Sequence, residues 1–293
     1  MMAAPDLDAL LRRLHLPTVR RLVAELEARA ESESLSYRDF LALLMAEEVA
    51  HRAQTRIERS TRKARLPFLR TIEEFDFTFQ TSVKLQLLGS YLGPELVSEG
   101  RNLILWGPSG RGKTHLAVAI AYRAIQNGYE AMFTSAAALI EALSSVQKRG
   151  ELATEIALYT HPHVLVIDEV GYLTVGNDAA NLLFRVVNDR YLHRKPLVFT
   201  TKKPLAAWGG VLHDADLAEA ILDRVLERGR LLELRGTSYR TRHLSRTSTE
   251  TGPPPLAGWP KISGKSGPKY LEPTPRSRTC CRVFAVSAPS RGT

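Results

Sequence analysis

The sequence predicts an α/β protein with a central parallel sheet and flanking helices, preceded by a small all-helical N-terminal domain. Three observations lead to this prediction. Between residues 101 and 201, short β-rich runs alternate with helical patterns, which is typical of a parallel sheet with crossover helices. A glycine-rich loop follows the first run and opens a helix. Upstream, leucines recur at helical spacing from Leu7 to Leu26.

The N-terminal helices have one clear start signal. Ser36 and Asp39 resemble a capping box, and the apolar residues from Phe40 to Val49 follow at helical spacing. We expect a helical domain at residues 1–66, a nucleotide-binding α/β domain at 67–244 and a disordered tail at 245–293. The tail is rich in Pro, Gly, Ser and Arg, and is either a basic arm or an extension without function.

Length and composition restrict the class of protein. The chain has 293 residues, enough for one α/β domain and a smaller accessory region, and is 44% hydrophobic. No apolar run approaches the roughly 18 residues needed to cross a bilayer, and the N-terminus lacks a secretory pattern. Cys280 and Cys281 are adjacent, so neither a disulfide framework nor a metal site is expected. We expect a cytoplasmic protein with no membrane partner.

The net charge of +9 is concentrated in the flanks of the chain. Residues 71–244 carry 19 basic and 19 acidic residues, whereas residues 51–70 carry seven basic residues and one acidic residue. Clustered positive charge attracts nucleic-acid phosphates, so one interpretation is a DNA-binding surface. The alternative is a solvated helix face. The candidate DNA-binding residues are Arg52, Arg56, Arg59, Arg62, Lys63 and Arg65.

Four strands are predicted in the central domain, and the glycine-rich loop directly follows the first. The strands are Asn102–Trp106, Ala131–Thr134, Val164–Ile167 and Leu197–Thr200. The loop matches G-x-x-x-x-G-K-[ST], a pattern whose backbone N–H groups curl around phosphates at a helix N-terminus. Lys113 would reach the β/γ oxygens, and Thr114 would offer its hydroxyl to Mg²⁺. The predicted nucleotide-binding residues are Gly107, Pro108, Ser109, Gly110, Arg111, Gly112, Lys113 and Thr114.

A pair of acidic residues follows the third predicted strand. Asp168 emerges at the carboxyl end of the apolar run Val164–Ile167, where ligands bind in parallel sheets. Asp168 is expected to hold Mg²⁺ near the nucleotide, and Glu169 to orient and polarise the water that attacks the γ-phosphate. The pair favours hydrolysis over transfer to a small acceptor. Later in the chain, Arg224 lies in a predicted helix and is a candidate for supplying positive charge to a neighbouring subunit's γ-phosphate.

Several motifs occur in a fixed order along the chain: Phe75-Asp76-Phe77, the glycine-rich loop, Ile167–Tyr172, Thr200-Thr201, Trp208-Gly209, Asp223-Arg224 and Ser238-Tyr239-Arg240. This series resembles the IstB-type transposition helper ATPases, which are AAA+ proteins similar to helicase loaders of the DnaC type. The resemblance covers about residues 5–244. It implies ATP binding, assembly as a homo-oligomer on duplex DNA, and cooperation with a partner transposase.

Lys202 departs from the family pattern, which usually has Thr-Thr-Asn at the end of the fourth strand. The Asn senses the γ-phosphate and helps to place the water. A lysine cannot accept a hydrogen bond from that water, although its ammonium could still contact phosphate. We therefore expect ATP binding to be intact and hydrolysis to be weakened. Three alternatives remain open: a loader of a replicative helicase, a small-molecule kinase, and a scaffold that binds ATP and DNA without turnover.

Overall fold

The computed structural model describes residues 6–147, 149–171 and 178–242. The predicted disordered tail at 245–293 lies outside the described residues. An α/β fold with a parallel sheet and N-terminal helices is present, so the predicted fold class is confirmed. Along the described part of the chain, no helix is long and apolar enough to cross a membrane.

Three helices form the N-terminal region: α1 (Leu7–Arg13), α2 (Pro17–Ser32) and α3 (Tyr37–Lys63). Ser36 caps α3, because its hydroxyl accepts the N–H of Asp39 at 3.2 Å, as the capping-box pattern predicted. The first turn of α2 is capped from a distance, since the buried Glu48 accepts the N–H groups of Thr18 and Val19 at 2.9 and 3.2 Å. A small core stabilises this region, formed by Leu11, Val19, Leu26 and Leu44.

Helix α3 packs against two different parts of the molecule. Its N-terminal half contacts α2 through Leu44. Towards its C-terminal end, Ile57 and Ala64 join the core of the α/β domain, and the carbonyl oxygen of Ala64 accepts the N–H of Phe133 at 2.8 Å. The stretch predicted to bind DNA is therefore packed against the α/β domain.

The sheet has five strands: β1 (Asn102–Trp106), β2 (Ala131–Ser135), β3 (Val164–Val170), β4 (Leu197–Thr201) and β5 (Gly229–Glu233). All neighbouring strands run parallel, in the order β2-β3-β4-β1-β5. This order brings the carboxyl ends of β1, β3 and β4 together at one edge. Apolar runs form the central strands because both faces of the sheet are covered by helices.

The helices of the α/β domain connect and cover the strands. They are α4 (Leu85–Leu92), α5 (Glu95–Ser98), α6 (Lys113–Gln126), α7 (Ala136–Gln147), α8 (Leu152–Thr160), α9 (Ala179–Leu192), α10 (Trp208–Leu212) and α11 (Ala215–Glu227). The glycine-rich loop opens α6 as predicted, α7 and α9 match helical patterns between the predicted strands, and α11 is the predicted helix that contains Arg224. Helices α4, α5, α8 and α10 were not predicted, nor was strand β5.

One buried cation stabilises the edge of the sheet opposite these carboxyl ends. Arg190 on α9 is fully buried and donates to the carbonyl oxygens of Tyr159, Pro162, His163 and Pro196 at 2.7–3.0 Å. These carbonyls lie just before β3 and β4. Burial lowers the pKa of Arg190 to about 9, which leaves it charged at neutral pH.

Candidate nucleotide-binding site

The glycine-rich loop connects β1 to the N-terminus of α6. Gly107, Gly110 and Gly112 have φ values of 147°, 77° and 88°, a region that side chains strongly disfavour. The space is also restricted. A Cβ on Gly107 would lie 2.3 Å from the carbonyl oxygen of Leu234, and one on Gly112 would lie 2.6 Å from Cε2 of Phe75. Glycine is therefore required at these positions by conformation and by packing.

Lys113 begins α6 and is almost completely buried. Its ammonium donates to the carbonyl oxygen of Pro108 at 2.7 Å, which holds the side chain along the loop. Burial, followed by the nearby charge of Lys202, lowers the pKa of Lys113 to about 8. In the same loop, Nε and Nη1 of Arg111 are buried and have no hydrogen-bond partner among the described residues. The loop thus has positive charge that a phosphate chain would neutralise.

Asp168 faces the loop from the end of β3. The hydroxyl of Thr114 donates to its carboxylate, at 3.1 Å from Oδ1 and 3.3 Å from Oδ2. Thr200 on β4 donates a further hydrogen bond to Oδ1 and accepts the N–H of Glu169 at 3.0 Å. The hydroxyl of Thr200 therefore fixes both acidic positions relative to each other.

A β-bulge directs Glu169 away from the sheet. Ile167 pairs with Phe199 and Val170 with Thr201, so β3 has one extra residue between these pairs. Glu169 lies in this bulge and has a φ of 59°, an uncommon conformation for a residue other than glycine. Its side chain is about half exposed at the edge of the site.

Lys202 contacts Glu169 directly. Its Nζ lies 3.3 Å from Oε1 of Glu169, and 27% of its side chain is exposed. The residue that departs from the family pattern is thus paired with the predicted water-activating carboxylate. Sequence reasoning identified both residues but not their contact.

A cavity of about 620 Å³ lies over the glycine-rich loop. The cavity is lined by Ser109–His115, Glu169 and Thr200–Lys202, together with four aromatic side chains: Phe68, Phe75, Phe79 and Tyr239. The rings of Phe79 and Tyr239 meet edge to face at 5.2 Å between centroids, and Phe75 meets His115 in the same way at 5.3 Å. Sequence reasoning gave these aromatic residues no role, although Phe75 and Tyr239 lie in the motifs quoted above.

The oxygen ligands at this edge fit a magnesium ion. The Thr114 hydroxyl and the Asp168 carboxylate converge, and both are hard oxygen donors. Among the described residues, no cluster of three or more His, Cys, Asp or Glu side chains could hold a metal ion. Magnesium usually binds through one or two protein oxygens, and phosphates and water complete its coordination.

Arg224 lies apart from the cavity of its own chain. On α11, its Nε donates to Oδ1 of Asn188 at 3.0 Å and its Nη1 donates to the carbonyl oxygen of Ala220 at 2.9 Å. Its guanidinium also stacks over the ring of Phe184, 4.8 Å from the centroid. The structure therefore brings together the glycine-rich loop, Asp168, Glu169 and Lys202, but not Arg224. Arg224 could act on a bound phosphate only if that phosphate were in a second subunit.

The six predicted DNA-binding residues fall into two groups. Arg52 has contacts within the chain, since it pairs with Glu48 at 2.8 Å and donates to the carbonyl oxygen of His15. The side chain of Arg56 extends from α3 to the loop after α6, where its guanidinium would be 3.2 Å from a Cβ on Gly128. The remaining four residues are exposed near the end of α3: Arg59, Arg62, Lys63 and Arg65.

The parallel sheet, glycine-rich loop and acidic strand end define this protein as an ATP-binding protein of the AAA+ class. A family model described as "IstB-like ATP binding protein" matches residues 9–247. The chain belongs to this family, and the resemblance inferred from its motifs is confirmed.

Similar proteins are encoded by bacterial insertion sequences. The ATP-binding protein of insertion sequence IS21 from Pseudomonas aeruginosa is 36% identical over 235 residues, which cover 80% of this chain and 88% of that protein. The corresponding protein of IS5376 from Geobacillus stearothermophilus is 35% identical over 230 residues, which cover 78% of this chain and 91% of that protein.

Solved structures share the fold at low sequence identity. AMPPCP-bound DnaA from Aquifex aeolicus superposes with a TM-score of 0.50 and 22% identity, covering 64% of this chain and 56% of that one. DnaI superposes with a TM-score of 0.51 and 15% identity, covering 60% of this chain and 94% of that one.

Proposed function

We propose that this protein is the ATP-hydrolysing, DNA-binding helper of an insertion-sequence transposition system. The arrangement of Lys113, Thr114, Asp168 and Glu169 around one cavity carries the proposal for hydrolysis. The insertion-sequence proteins similar to this chain support the role in transposition.

Each side chain has a distinct role in the proposed reaction. Lys113 binds the β- and γ-phosphates, and the rings of Phe79 and Tyr239 provide an apolar surface for the adenine base. Thr114 and Asp168 hold Mg²⁺, which would neutralise charge on the phosphate oxygens. Glu169 orients the attacking water and accepts its proton, while the hydrogen bond from its N–H to the Thr200 hydroxyl holds its backbone in place.

The first experiment measures ATP hydrolysis with and without duplex DNA. We expect turnover that DNA stimulates and that Glu169→Gln reduces by about a hundredfold or more, because the amide cannot accept the proton. Turnover that DNA does not change would favour the kinase or helicase-loader alternatives. A wild-type protein that binds ATP without turnover would exclude the hydrolysis proposal.

Contact with DNA is proposed for the exposed basic end of α3. Replacing Arg59 and Lys63 with Gln together removes two charges there, without disturbing the contacts of Arg52. If both side chains contact phosphates, the slope of log affinity against log salt falls by about two. The matched control replaces Arg149 and Arg185, two exposed arginines elsewhere, with Gln. Equal losses of affinity in both double variants would indicate a general charge effect and no binding site on α3.

Assembly into a homo-oligomer is proposed because Arg224 does not reach the cavity of its own chain. A subunit with Glu169→Gln hydrolyses ATP at least about a hundredfold more slowly but still presents Arg224 to its neighbour. A subunit with Arg224→Ala has the opposite defect. Mixing two such inactive variants should restore hydrolysis if the arginine acts between subunits. A mixture that remains as inactive as its components would contradict this arrangement.

The pairing of Lys202 with Glu169 favours a second candidate, a scaffold that binds ATP and DNA with little turnover. A carboxylate held by an ammonium group is a weaker proton acceptor. Under this hypothesis, Lys202→Asn raises the rate of hydrolysis because it releases Glu169. An unchanged rate in a steady-state assay would count against any restraint by Lys202. Cooperation with a transposase is proposed for both candidates, and would be tested by pull-down with an insertion-sequence transposase.

A further inference from the structure

Two of the aromatic residues that line the cavity, Phe75 and Phe79, lie on a segment without regular secondary structure. This segment, residues 71–80, forms turns between α3 and α4 and belongs to neither a helix nor a strand. Within it, the carboxylate of Asp76 accepts the N–H groups of Thr78 and Phe79 at 3.1 and 2.9 Å, which fixes the turn locally. A turn does not fix its own distance from the glycine-rich loop, so contacts with other elements must position these aromatic rings.

His115 joins this segment to the helix that follows the glycine-rich loop. It comes directly after Thr114 in the first turns of α6, and its Nε2 lies 3.1 Å from the carbonyl oxygen of Thr71. Because a carbonyl oxygen can only accept, Nε2 carries the proton and donates it. The ring of His115 also meets the ring of Phe75 edge to face, at an interplanar angle of 90°. One side chain therefore contacts both the backbone and an aromatic ring of the segment.

Two further polar contacts join the segment to α6 and to the glycine-rich loop. Glu73 pairs with Arg123 on α6, but the two side chains are 64% and 33% exposed, and ion pairs this exposed contribute little. At the other end of the segment, the side-chain amide of Gln80 donates to the carbonyl oxygen of Arg111 at 3.1 Å. The partly buried hydrogen bond from His115 is therefore the directional contact that holds the beginning of the segment.

We propose that His115 is a positioning residue for the base of the nucleotide, and that it acts through the carbonyl oxygen of Thr71 and the ring of Phe75. The phosphates bind at the N-terminus of α6, whereas the base binds against aromatic rings of the cavity. His115 sets the distance between these two parts of the cavity, so that one ligand fits both. The inference rests on the proposed function, in which the ring of Phe79 is part of the surface for adenine.

The test compares two ligands in equilibrium titrations of the full chain: a non-hydrolysable ATP analogue, and inorganic tripolyphosphate, which has no base. His115→Phe keeps an aromatic ring but lacks the donor. We expect it to weaken binding of the analogue by about five- to tenfold, the effect of one hydrogen bond, and to change tripolyphosphate binding by less than about twofold. His115→Gln, whose side-chain amide can donate from the position of Nε2, should restore the analogue affinity to within about twofold of wild type.

Arg123→Gln is the matched control. It removes another contact between the same helix and the same segment, but an exposed one, so both affinities should stay within about twofold of wild type. A loss in this variant as large as in His115→Phe would show that any contact along α6 has the same effect, and would contradict a specific role for His115.

Two other results would overturn the inference. One is a His115→Phe variant that retains the wild-type ratio of the two affinities, whether both are unchanged or both are lost equally. The other is a His115→Gln variant that binds the analogue as weakly as His115→Phe. These binding assays do not require turnover, so a wild-type protein that fails to hydrolyse ATP would reject only the hydrolysis proposal. A wild-type protein that binds both ligands equally would instead reject the adenine surface on which the inference rests.

Discussion

The lowered pKa of Lys113 predicts that ATP affinity falls steeply in mildly alkaline solution. In the free protein the pKa is about 8, mainly because of burial. A bound triphosphate favours the ammonium form and raises the pKa again. Above pH 8, binding therefore requires uptake of one proton, and affinity falls by about tenfold per pH unit. Between pH 7.5 and 9.5 the loss should be roughly 25-fold.

Calorimetric titration with a non-hydrolysable ATP analogue, in buffers of different ionisation enthalpy, measures both the affinity and the protons taken up. We expect uptake close to one proton at pH 9. In Lys113→Arg, which stays charged throughout, the pH dependence should largely disappear even if the affinity is lower. A loss below about threefold, without proton uptake, would refute the assignment of this pKa to Lys113.

The stability of the nucleotide-free protein changes with pH in the opposite direction to its ATP affinity. In the folded protein the pKa of Lys113 lies below its ordinary value of 10.5, so folding opposes the charged form. This cost is fully present below pH 8 and is relieved as the pH rises from 8 to 10.5. The free energy of unfolding of the nucleotide-free protein should gain up to about 3 kcal/mol from this group across that interval. Lys113→Met should remove this contribution in chemical denaturation experiments.

Three further substitutions test the packing described above. Glu48→Gln should lower the free energy of unfolding by about 1–3 kcal/mol in chemical denaturation, because it weakens the cap of α2 and leaves Arg52 without its anion. Arg190→Met should cost about 3 kcal/mol or more in the same measurement, since four carbonyl oxygens lose their donor. Gly112→Ala should reduce ATP affinity at least about tenfold in a binding titration, through strain and a clash with Phe75.

Matched controls exist for each substitution. Glu47→Gln and Arg185→Met change exposed neighbours on the same helices and should alter the free energy of unfolding by less than about 0.5 kcal/mol. Gly210→Ala adds a methyl group where no atom lies within 4 Å and should leave ATP affinity unchanged. If a control and its test variant behave alike, the specific contact is not the cause of the effect.

The central part of the site was predictable because its signals are local. Residues 107–114 form a contiguous motif, and the apolar run before Asp168 indicates a buried strand whose end faces that motif. Their contact follows from parallel topology. The four strands with continuous apolar runs were found for the same reason. Strand β5 was missed because exposed residues interrupt its short pattern.

What could not be predicted depends on contacts between residues far apart in sequence. Arg52 belongs to a basic stretch of the sequence, yet its guanidinium donates to the carbonyl oxygen of His15, which lies 37 positions earlier in the chain. The bulge that redirects Glu169 depends on the register between β3 and β4, which composition does not specify. The aromatic part of the cavity combines Phe79 with Tyr239, from opposite ends of the domain. In each case the missing information was tertiary proximity.

Helix α3 also has a mechanical consequence. Its 27 residues span about 40 Å, and only the end near Ile57 and Ala64 is anchored in the α/β core. The opposite end of α3, at Tyr37, lies roughly 30 Å from that anchor. A tilt of about 10° at the anchor would therefore sweep Tyr37 through roughly 5 Å. Helix α6 begins at Lys113 and contacts α3. Because α3 is long, small displacements of α6 would produce larger movements of the N-terminal helices.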